Sequence, residues 1–400
     1  MRIMKKILLV NGSYNEIPLI KAAHRLGYYV ITSGNDSTGE GHKYANEYCP
    51  CDYSDKEAVY QLAKRLKVDA ICACGNDFGA ISAAYASEKL GLPGHDTYEN
   101  SRLFHEKDMF KEMVAQLGIT SPRTVSFDNK EEALRYIEGA SFPQIVKPSD
   151  LGGGKGIQTV DSVEEGKNAV EKAFSVSKNK RIVIEDYIKG KQQGVTVYIK
   201  DRKVVMEYST NDFSYLNPFM VWMVYGSPAE EYSGYRDKLI ADIERIAEEK
   251  RIADGFLTIQ YMLKDGVPYL LETMRRCLGN LHYLCMSRDT GVDFFEWFIA
   301  TEAGMDCSEY VSRVCFNKGK SGFMGVYAPC NGVVEKVIID PQFQEKIFDV
   351  KMLNGPGYVV KDYLYDKLGM VYFSVEDSEL SWFLENREKL IRVEMTEQGE

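Results

Sequence analysis

The 400-residue sequence has no surplus of basic residues and no apolar run of membrane-spanning length. It contains 49 lysines and arginines against 59 aspartates and glutamates, a formal net charge of −10, without a block of basic residues interleaved with aromatic ones. Nucleic-acid-binding proteins concentrate positive charge, so this class is disfavoured. The apolar stretch at residues 294–300 is interrupted by Glu296 and is far shorter than the roughly 20 residues a membrane helix needs. We expect a cytoplasmic protein without nucleic-acid or membrane partners.

Metal-binding patterns of histidine and cysteine are also missing. The five histidines are scattered, and no H-E-x-x-H pair occurs. Among the nine cysteines, Cys49 and Cys51, like Cys72 and Cys74, are separated by a single residue. Zinc sites ordinarily use gaps of about two to four residues. We therefore interpret the cysteines as buried free thiols in a reducing compartment.

The first hundred residues alternate apolar strand-like runs with helical periodicity, which predicts a parallel, doubly wound α/β domain. Two polar turns, Asn11–Ser13 and Gly75–Asp77, follow predicted strands at the edge where such sheets bind ligands. They are either a substrate-facing edge or ordinary turns and caps, since the same residue types serve both purposes. The predicted elements are strands Ile7–Val10, Tyr28–Thr32 and Ala70–Cys74 and helices Ile17–Leu26 and Lys56–Leu66.

The rest of the chain predicts α+β structure. A helix from Glu106 to Leu117 leads into a small unit of strands and helices at about residues 122–190, of the kind that moves as a lid. An amphipathic helix over Arg236–Lys250 precedes a hairpin that turns at Asp265 and Gly266. We expect domains at residues 1–98, 99–300 and 301–400, the last a small mixed α+β region.

A glycine loop is the most informative motif. Lys147 ends an apolar strand, and the loop that follows contains Gly152, Gly153, Gly154 and Gly156 around Lys155. Glycines let backbone amides approach phosphate oxygens, and lysines supply point charge, so the motif indicates a polyphosphate site. A mobile hairpin is the alternative. The loop has neither the G-x-x-x-x-G-K-[ST] pattern of a Walker-type phosphate loop nor the G-x-G-x-x-G pattern of a dinucleotide-binding site, so neither of these classes applies.

Three features in sequence order resemble the ATP-grasp superfamily over roughly residues 5–300: a lysine near a helix start, the lysine with its glycine loop, and acidic or amide residues on a hairpin beside a basic pair. The resemblance implies a preceding α/β domain and an ATP-grasp fold with a mobile lid. It implies phosphate contacts from Lys107, with Lys111 as the alternative, and from Lys147.

The same resemblance implies the adenosine contacts. The strand Ile182–Asp186 matches the family's hinge, where Asp186 and Ile188 would contribute main-chain groups and Glu185 a side chain. Gln192, with Gln193 next to it, stands where family members often carry a ribose-binding glutamate. An amide can still hydrogen-bond hydroxyl groups.

The metal residues implied by the resemblance are Gln260 and Glu272. Strand alternation puts Gln260 on a common face with Leu270, Glu272 and Met274, so the amide and the carboxylate can converge on one ion. Mg²⁺ suits such oxygen ligands, with Mn²⁺ as a substitute. Met274 replaces the family's usual asparagine, and a thioether is a poor magnesium ligand.

The basic pair implies the chemistry. By the resemblance, Arg276 faces the transferred phosphoryl group, and Arg275, Gly279 and Asn280 lie on the substrate side. The expected function is an ADP-forming ligase that activates a carboxylate as an acyl phosphate and joins it to an amine, both being small molecules. A carboxylase or carbamoyl phosphate-type enzyme and a non-catalytic nucleotide-binding protein remain alternatives. A homodimer is the expected assembly, because dimers are the commonest symmetric assembly.

Lys147→Ala is expected to weaken ATP binding and abolish ADP formation, because the strand lysine neutralises phosphate charge. Cys72→Ala should leave both intact. Calorimetric titration with ATP and Mg²⁺ measures binding, and ADP release with a panel of carboxylates measures turnover. Parent-like activity of Lys147→Ala would remove this lysine from the site.

Overall fold

The computed structural model describes residues 4–73 and 75–396, so Cys74 and the predicted end of its strand lie outside the described residues. The chain divides into two compact units. The first comprises the described parts of Met1–Glu207, Glu231–Gly279 and Asp293–Ser312, and the second comprises those of Tyr208–Glu230, Asn280–Val292 and Arg313–Glu400. The three domain limits expected from the sequence remain a prediction.

The strands and helices follow one another along the chain, with strand β10 beginning in the first unit and ending in the second. The strands are β1 (Lys6–Leu9), β2 (Tyr29–Thr32), β3 (Glu47–Tyr48), β4 (Ala70–Cys72), β5 (Thr124–Phe127), β6 (Gln144–Pro148), β7 (Gln158–Val160), β8 (Ile182–Asp186), β9 (Lys191–Lys200), β10 (Lys203–Phe213), β11 (Met223–Gly226), β12 (Gly255–Lys264), β13 (Val267–Met274), β14 (Lys320–Tyr327), β15 (Gly332–Ile339), β16 (Ile347–Met352), β17 (Val359–Val360), β18 (Lys367–Val375) and β19 (Ile391–Thr396). The α-helices are α1 (Ile17–Arg25), α2 (Lys56–Leu66), α3 (Asp77–Leu90), α4 (Tyr98–His105), α5 (Lys107–Gln116), α6 (Lys130–Glu138), α7 (Val163–Val176), α8 (Tyr232–Lys250), α9 (Tyr283–Thr290), α10 (Phe294–Glu302), α11 (Ser308–Arg313), α12 (Pro341–Gln344) and α13 (Leu380–Asn386).

A four-stranded parallel sheet opens the first unit and confirms the predicted α/β fold. Its order is β3-β2-β1-β4, and Leu8 of the central strand lies opposite Ile31 and Ile71. These side chains are fully buried, as expected of parallel strands covered on both faces. The turn Gly75–Asp77 lies at the carboxyl edge of this sheet. In this turn the Asn76 side chain accepts a hydrogen bond from the Gly79 amide and so caps α3.

The predicted lid forms a separate four-stranded antiparallel sheet in the first unit. The strand order is β5-β8-β6-β7, with helices α6 and α7 against one face. Its small core is aliphatic: Ile137, Val146, Val170, Ile182 and Ile184 are all buried completely. Strand β6 therefore carries Lys147 on a rigid sheet directly before the glycine loop.

Three antiparallel strands, β9, β12 and β13, carry the predicted hairpin of the first unit. The pairing of β12 with β13 shifts register after Gln260, where Tyr261 lies opposite Leu270 while Gln260 lies opposite Glu272. Leu271 is thus an extra residue on β13. This bulge corrects the sequence-based expectation that Leu270 shares a face with Glu272, since one inserted residue reverses the alternation.

The second unit contains the end of β10 with β11, β14, β18 and β16 in one antiparallel sheet, and β17, β15 and β19 in another. Their core includes Trp222, Met324, Val371, Phe373 and Phe383. The sequence predicted only a small mixed α+β region at residues 301–400, and most strands of this unit lie in that range. No helix in the described part of the chain is both long and apolar enough to cross a membrane.

The cysteines only partly follow the expectation of buried thiols. Those in the described ranges are free, and Cys72, Cys277, Cys285 and Cys307 are buried. Cys49 and Cys51 are half-buried, and Cys315 and Cys330 are exposed. The correction has a simple cause: the last two lie in connections, which remain in contact with water.

Gly94→Ala is expected to lower the melting temperature more than Gly91→Ala. Both glycines have left-handed φ angles, +89° and +67°, so each substitution costs roughly 1–2 kcal/mol. A Cβ atom at Gly94 would also lie 2.2 Å from the Glu302 carbonyl oxygen, whereas nothing lies within 4 Å of one at Gly91. Calorimetric melting of the two variants measures the difference. Equal losses would show that the close approach at Gly94 is not a constraint.

Candidate active site

Three lysines surround two carboxylates in the first unit. The Nζ atom of Lys147 lies 2.7 Å from Glu185 Oε2, and that of Lys111 lies 3.5 Å from Glu185 Oε1. Lys107 Nζ lies 3.2 Å from Glu272 Oε2. Helix α5 supplies two of the lysines and β6 the third, so the cluster is assembled by tertiary packing. Lys147 therefore has the anionic partner that its position in an apolar strand requires.

Burial and opposite charges set the ionisation of this cluster. Burial opposes the charged form of Glu185, but Lys111 and Lys147 outweigh it and lower the pKa of this carboxyl group. Burial likewise opposes the charge on Lys107, but Glu272 and Asp77 outweigh it and raise its pKa. For Lys111 burial dominates and lowers the pKa to about 8 despite Glu185. The cluster thus holds more positive than negative charge, which suits it to an anion.

The glycine loop is attached to the same helix. Lys107 donates from Nζ to the Leu151 carbonyl at 2.8 Å and from its backbone amide to the Ser149 carbonyl at 3.1 Å. Asp108 accepts a hydrogen bond from the Ser149 hydroxyl and forms an ion pair of 2.5 Å with Arg181. Gly153, Gly154 and Gly156 within the loop have φ of +66°, +74° and +72°, which glycine adopts without strain. These contacts hold Ser149 and Leu151, the residues that lead into the glycine loop.

Arg276 is held by a residue that sequence analysis did not single out. Its Nε atom donates to Asp77 Oδ1 at 2.6 Å, and His105 Nε2 lies 4.0 Å from the same oxygen. Burial opposes ionisation of Asp77, but the charges of Arg276 and His105 outweigh it and lower the pKa to about 2. In the turn Gly75–Asp77, Asn76 therefore acts as a helix cap and Asp77 positions Arg276, while the substrate-facing role of this edge stays a prediction.

Gln260 and Glu272 lie directly opposite each other on β12 and β13, and Thr258 and Met274 form the next pair on that face. Within the described ranges no group of three or more His, Cys, Asp or Glu side chains is close enough to hold a metal ion. Magnesium commonly takes one or two protein oxygens and completes its shell with phosphates and water. An amide oxygen beside a carboxylate fits that requirement, and both are first-unit residues near the lysine cluster.

Comparison with known proteins finds a matching family model and several relatives. Residues 105–217 match the family model of the phosphoribosylglycinamide synthetase ATP-grasp (A) domain. The phosphoribosylamine–glycine ligase of Pyrococcus furiosus is 26% identical over 270 residues, which cover 66% of this chain and 61% of the relative. The carbamoyl phosphate synthase large chain of Clostridium beijerinckii is 22% identical over 288 residues, 71% of this chain. The chain spans only 26% of that relative's length.

Solved structures share the fold over nearly the whole chain. The L-amino acid ligase from Bacillus licheniformis has a TM-score of 0.82 at 18% identity, covering 98% of this chain and 99% of the other. The phosphoribosylglycinamide synthetase from Anaerococcus prevotii has a TM-score of 0.76 at 18% identity, covering 98% and 100%. Residues 105–217 thus match an ATP-grasp domain, and the chain shares the fold of these ligases. The biotin carboxylase domain of the Hydrogenobacter thermophilus 2-oxoglutarate carboxylase, with a TM-score of 0.74 at 21% identity over 99% of this chain and 92% of the other, was solved with MgADP, and ATP and Mg²⁺ are the predicted cofactors of this chain.

The strand that corresponds to the ATP-grasp hinge is β8. Glu185 on this strand points to the lysines, and the amide of Asp186 donates to the Arg123 carbonyl at 3.0 Å. The Asp186 side chain accepts from Gln144 Nε2 at 2.8 Å. Ile188 is half-buried just beyond the end of the strand. The adenine contacts expected of these three residues stay predictions.

The two neighbouring glutamines face opposite sides of the ATP-grasp sheet. Gln192 lies opposite Met262, on the face that also carries Gln260, whereas Gln193 lies opposite Tyr261. Gln193 is fully buried, and its Oε1 accepts from the Tyr235 hydroxyl at 2.5 Å beneath helix α8. This placement corrects the expectation that both face the nucleotide, because adjacent strand residues alternate. Only Gln192 stays a predicted ribose contact.

The two neighbouring arginines, Arg275 and Arg276, also have different partners. Arg275 donates from Nε to Asp96 at 2.7 Å and from Nη1 and Nη2 to the carbonyls of Phe256 and Ala253 at 2.8 and 2.9 Å. Its guanidinium thus joins parts of the ATP-grasp core, which argues for a structural role instead of the expected substrate contact. Gly279 ends a segment of the first unit and Asn280 begins one of the second. Their substrate-side role is still a prediction.

Glu185→Gln is expected to destabilise the nucleotide-free protein by roughly 3–5 kcal/mol, because it leaves Lys111 and Lys147 buried without their counter-charge. Inorganic tripolyphosphate should restore more of the melting temperature in this variant than in the parent. Thermal melting with and without tripolyphosphate measures both effects. The matched control is Glu171→Gln, which breaks an exposed 3.1 Å pair with Lys130 worth about 0–1 kcal/mol. Indistinguishable melting of the two variants would contradict the charge-balance argument.

Proposed function

We propose that this chain is an ATP-dependent ligase that phosphorylates a carboxylate and joins the resulting acyl phosphate to an amine, with release of ADP and phosphate. The observation that carries the proposal is the convergence of Lys107, Lys111 and Lys147 beside a glycine loop. Such an arrangement can neutralise the charge of a triphosphate. The proposed reaction needs no nucleophile from the protein. Phosphoryl transfer needs mainly positioning and charge stabilisation, which these residues provide.

Each residue has a defined part in the proposed reaction. Lys107 and Lys147 bind phosphate oxygens, and Gln260 and Glu272 hold Mg²⁺, which neutralises charge on the transferred group when bound. A substrate carboxylate oxygen attacks the γ-phosphorus and ADP leaves. Arg276, fixed by Asp77, stabilises the transferred phosphoryl group. The amine then attacks the acyl carbon, phosphate leaves, and the ammonium loses its proton to solvent.

The relatives support the general reaction and leave its substrates open. The names of two similar proteins, a phosphoribosylamine–glycine ligase and an L-amino acid ligase, describe ligases. Gln260 and the similarity to carbamoyl phosphate synthase favour a second candidate, in which bicarbonate is the carboxylate that is phosphorylated. Met274, beside the metal pair, motivates a third candidate, a nucleotide-binding protein without turnover.

Single-turnover ADP release separates the three candidates. The protein is mixed with labelled ATP, Mg²⁺ and one of a panel of carboxylates that includes bicarbonate, with and without amines. Release that requires an organic carboxylate supports the ligase, and release with bicarbonate alone supports the carboxylase type. ATP binding without release under every condition would overturn the proposed catalysis.

Arg276→Ala is expected to slow ADP release by roughly 100-fold or more while nucleotide affinity changes little, because its charge acts on the transferred phosphoryl group. Arg276→Lys keeps the charge without the forked geometry and should retain intermediate activity. The control is Arg245→Ala, on the exposed face of helix α8. Release rates and ATP affinity are measured for all three variants at a temperature at which thermal melting shows each of them to be folded. Unchanged release by Arg276→Ala would remove this arginine from the reaction.

A further inference from the structure

Helix α4 ends against the segment that carries Arg276, within the first unit. The hydroxyl group of Thr273, near the end of β13, donates to the Phe104 carbonyl at 2.9 Å. The backbone amide of Arg275 donates to Nε2 of His105 at 3.3 Å. Phe104 and His105 are the last two residues of α4. The end of this helix therefore holds the chain at the residue directly before Arg276.

The partners of His105 define which of its ring nitrogens carries the proton. Nδ1 lies 2.8 Å from the Ser101 carbonyl, which can only accept, so Nδ1 is the protonated nitrogen. The Arg275 amide can only donate, so Nε2 presents its lone pair. The side chain of His105 is fully buried, and burial lowers its pKa although the charge of Asp77 acts in the opposite direction. His105 is thus a neutral ring in one fixed orientation.

The same ring faces the carboxylate that orients Arg276. His105 Nε2 lies 4.0 Å from Asp77 Oδ1, the oxygen that accepts from Arg276 Nε at 2.6 Å. Burial opposes ionisation of Asp77, but Arg276 and, in acid, His105 lower its pKa to about 2, so Asp77 is a carboxylate wherever a histidine titrates. Among the described residues, the charged groups that act on the ring are Asp77, Arg275 and Arg276. A proton on Nε2 would remove the acceptor of the Arg275 amide and compete with Arg276 for Asp77.

We propose that His105 is a positioning residue for Arg276, because it fixes the amide of the preceding residue and faces the carboxylate that orients the guanidinium, and that it does both only while its ring is uncharged. His105 acts through Arg276 and not on the substrate. The phosphoryl-transfer part of this role rests on the proposed ligase function. The linkage of His105, Asp77 and Arg276 rests on the geometry of the first unit alone.

The linkage is tested without turnover, by NMR of protein labelled with ¹⁵N in its histidine rings. The His105 signals are those missing from His105→Gln, and at pH 7 they should show the neutral ring with its proton on Nδ1. Arg276→Ala is expected to raise the titration midpoint of His105 by about half a unit or more, because a positive charge that opposes protonation is lost. Arg245→Ala should leave the midpoint unchanged. A proton on Nε2 at pH 7, or the same midpoint in Arg276→Ala and the parent, would overturn the linkage.

Turnover provides the second measurement. His105→Phe keeps a ring but no acceptor, and is expected to slow ADP release by roughly tenfold to 100-fold with ATP affinity changed little, because Arg276 is misplaced. His105→Gln offers an uncharged amide oxygen to the Arg275 amide and should recover most of the release rate. The control is His24→Gln, at an exposed histidine whose ring contacts the Tyr44 carbonyl. Parent-like release by folded His105→Phe, or weaker ATP binding in place of slower release, would contradict a positioning role.

The pH dependence of release tests the requirement for a neutral ring. Because the pKa of His105 is lowered by burial, the ring stays neutral to below the ordinary range of histidine, and release by the parent should fall only as the pH drops through the midpoint measured by NMR. His105→Gln cannot be protonated there and should keep its rate. The same fall in His105→Gln would overturn the requirement for a neutral ring. Absent ADP release in every protein would refute the ligase, whereas the NMR titration would still decide the linkage.

Discussion

Positive charge buried beside a glycine loop is the constraint on which the first unit depends. Removing lysine ammonium groups from water is costly, and the fold offsets that cost with Glu185 and Glu272. Two carboxylates balance three lysines only in part. The remaining positive charge is held by helix α5 and strand β6, so the proposed polyphosphate would meet charges that are already oriented.

The same helix links charge and loop. Lys107 contacts the loop through Leu151 and the metal strand through Glu272, and Asp108 ties down Ser149 and Arg181 at its stem. Lys107 therefore contacts both the loop and one of the two predicted metal ligands. Arg276 is equally constrained, because Asp77, whose charge also acts on Lys107, anchors its guanidinium from the edge of the parallel sheet.

Much of this architecture could be predicted from the sequence, since periodicity identifies the elements, and the glycine loop predicts a phosphate site. Helices such as α2 and strands such as β6 begin where the pattern indicates. The start of α8 at Tyr232 was missed, because the buried Tyr232 and Tyr235 extend the helix beyond the charged amphipathic pattern that begins at Arg236. The side-chain direction of Leu270 was wrong for a further reason, a single-residue bulge that nothing in the local sequence marks.

By itself the sequence determined that a lysine-flanked glycine loop precedes a hairpin with an amide and a carboxylate, and the resemblance that these residues carry predicts a nucleotide and a divalent ion as the ligands. Only the tertiary structure decided which charges meet. Asp77 and Arg276 are 199 residues apart, and Lys147 and Glu185 are 38 apart. Local patterns report which face of an element is buried, but the partner of a buried charge is chosen by packing between distant segments, where the cost of an unpaired charge is highest.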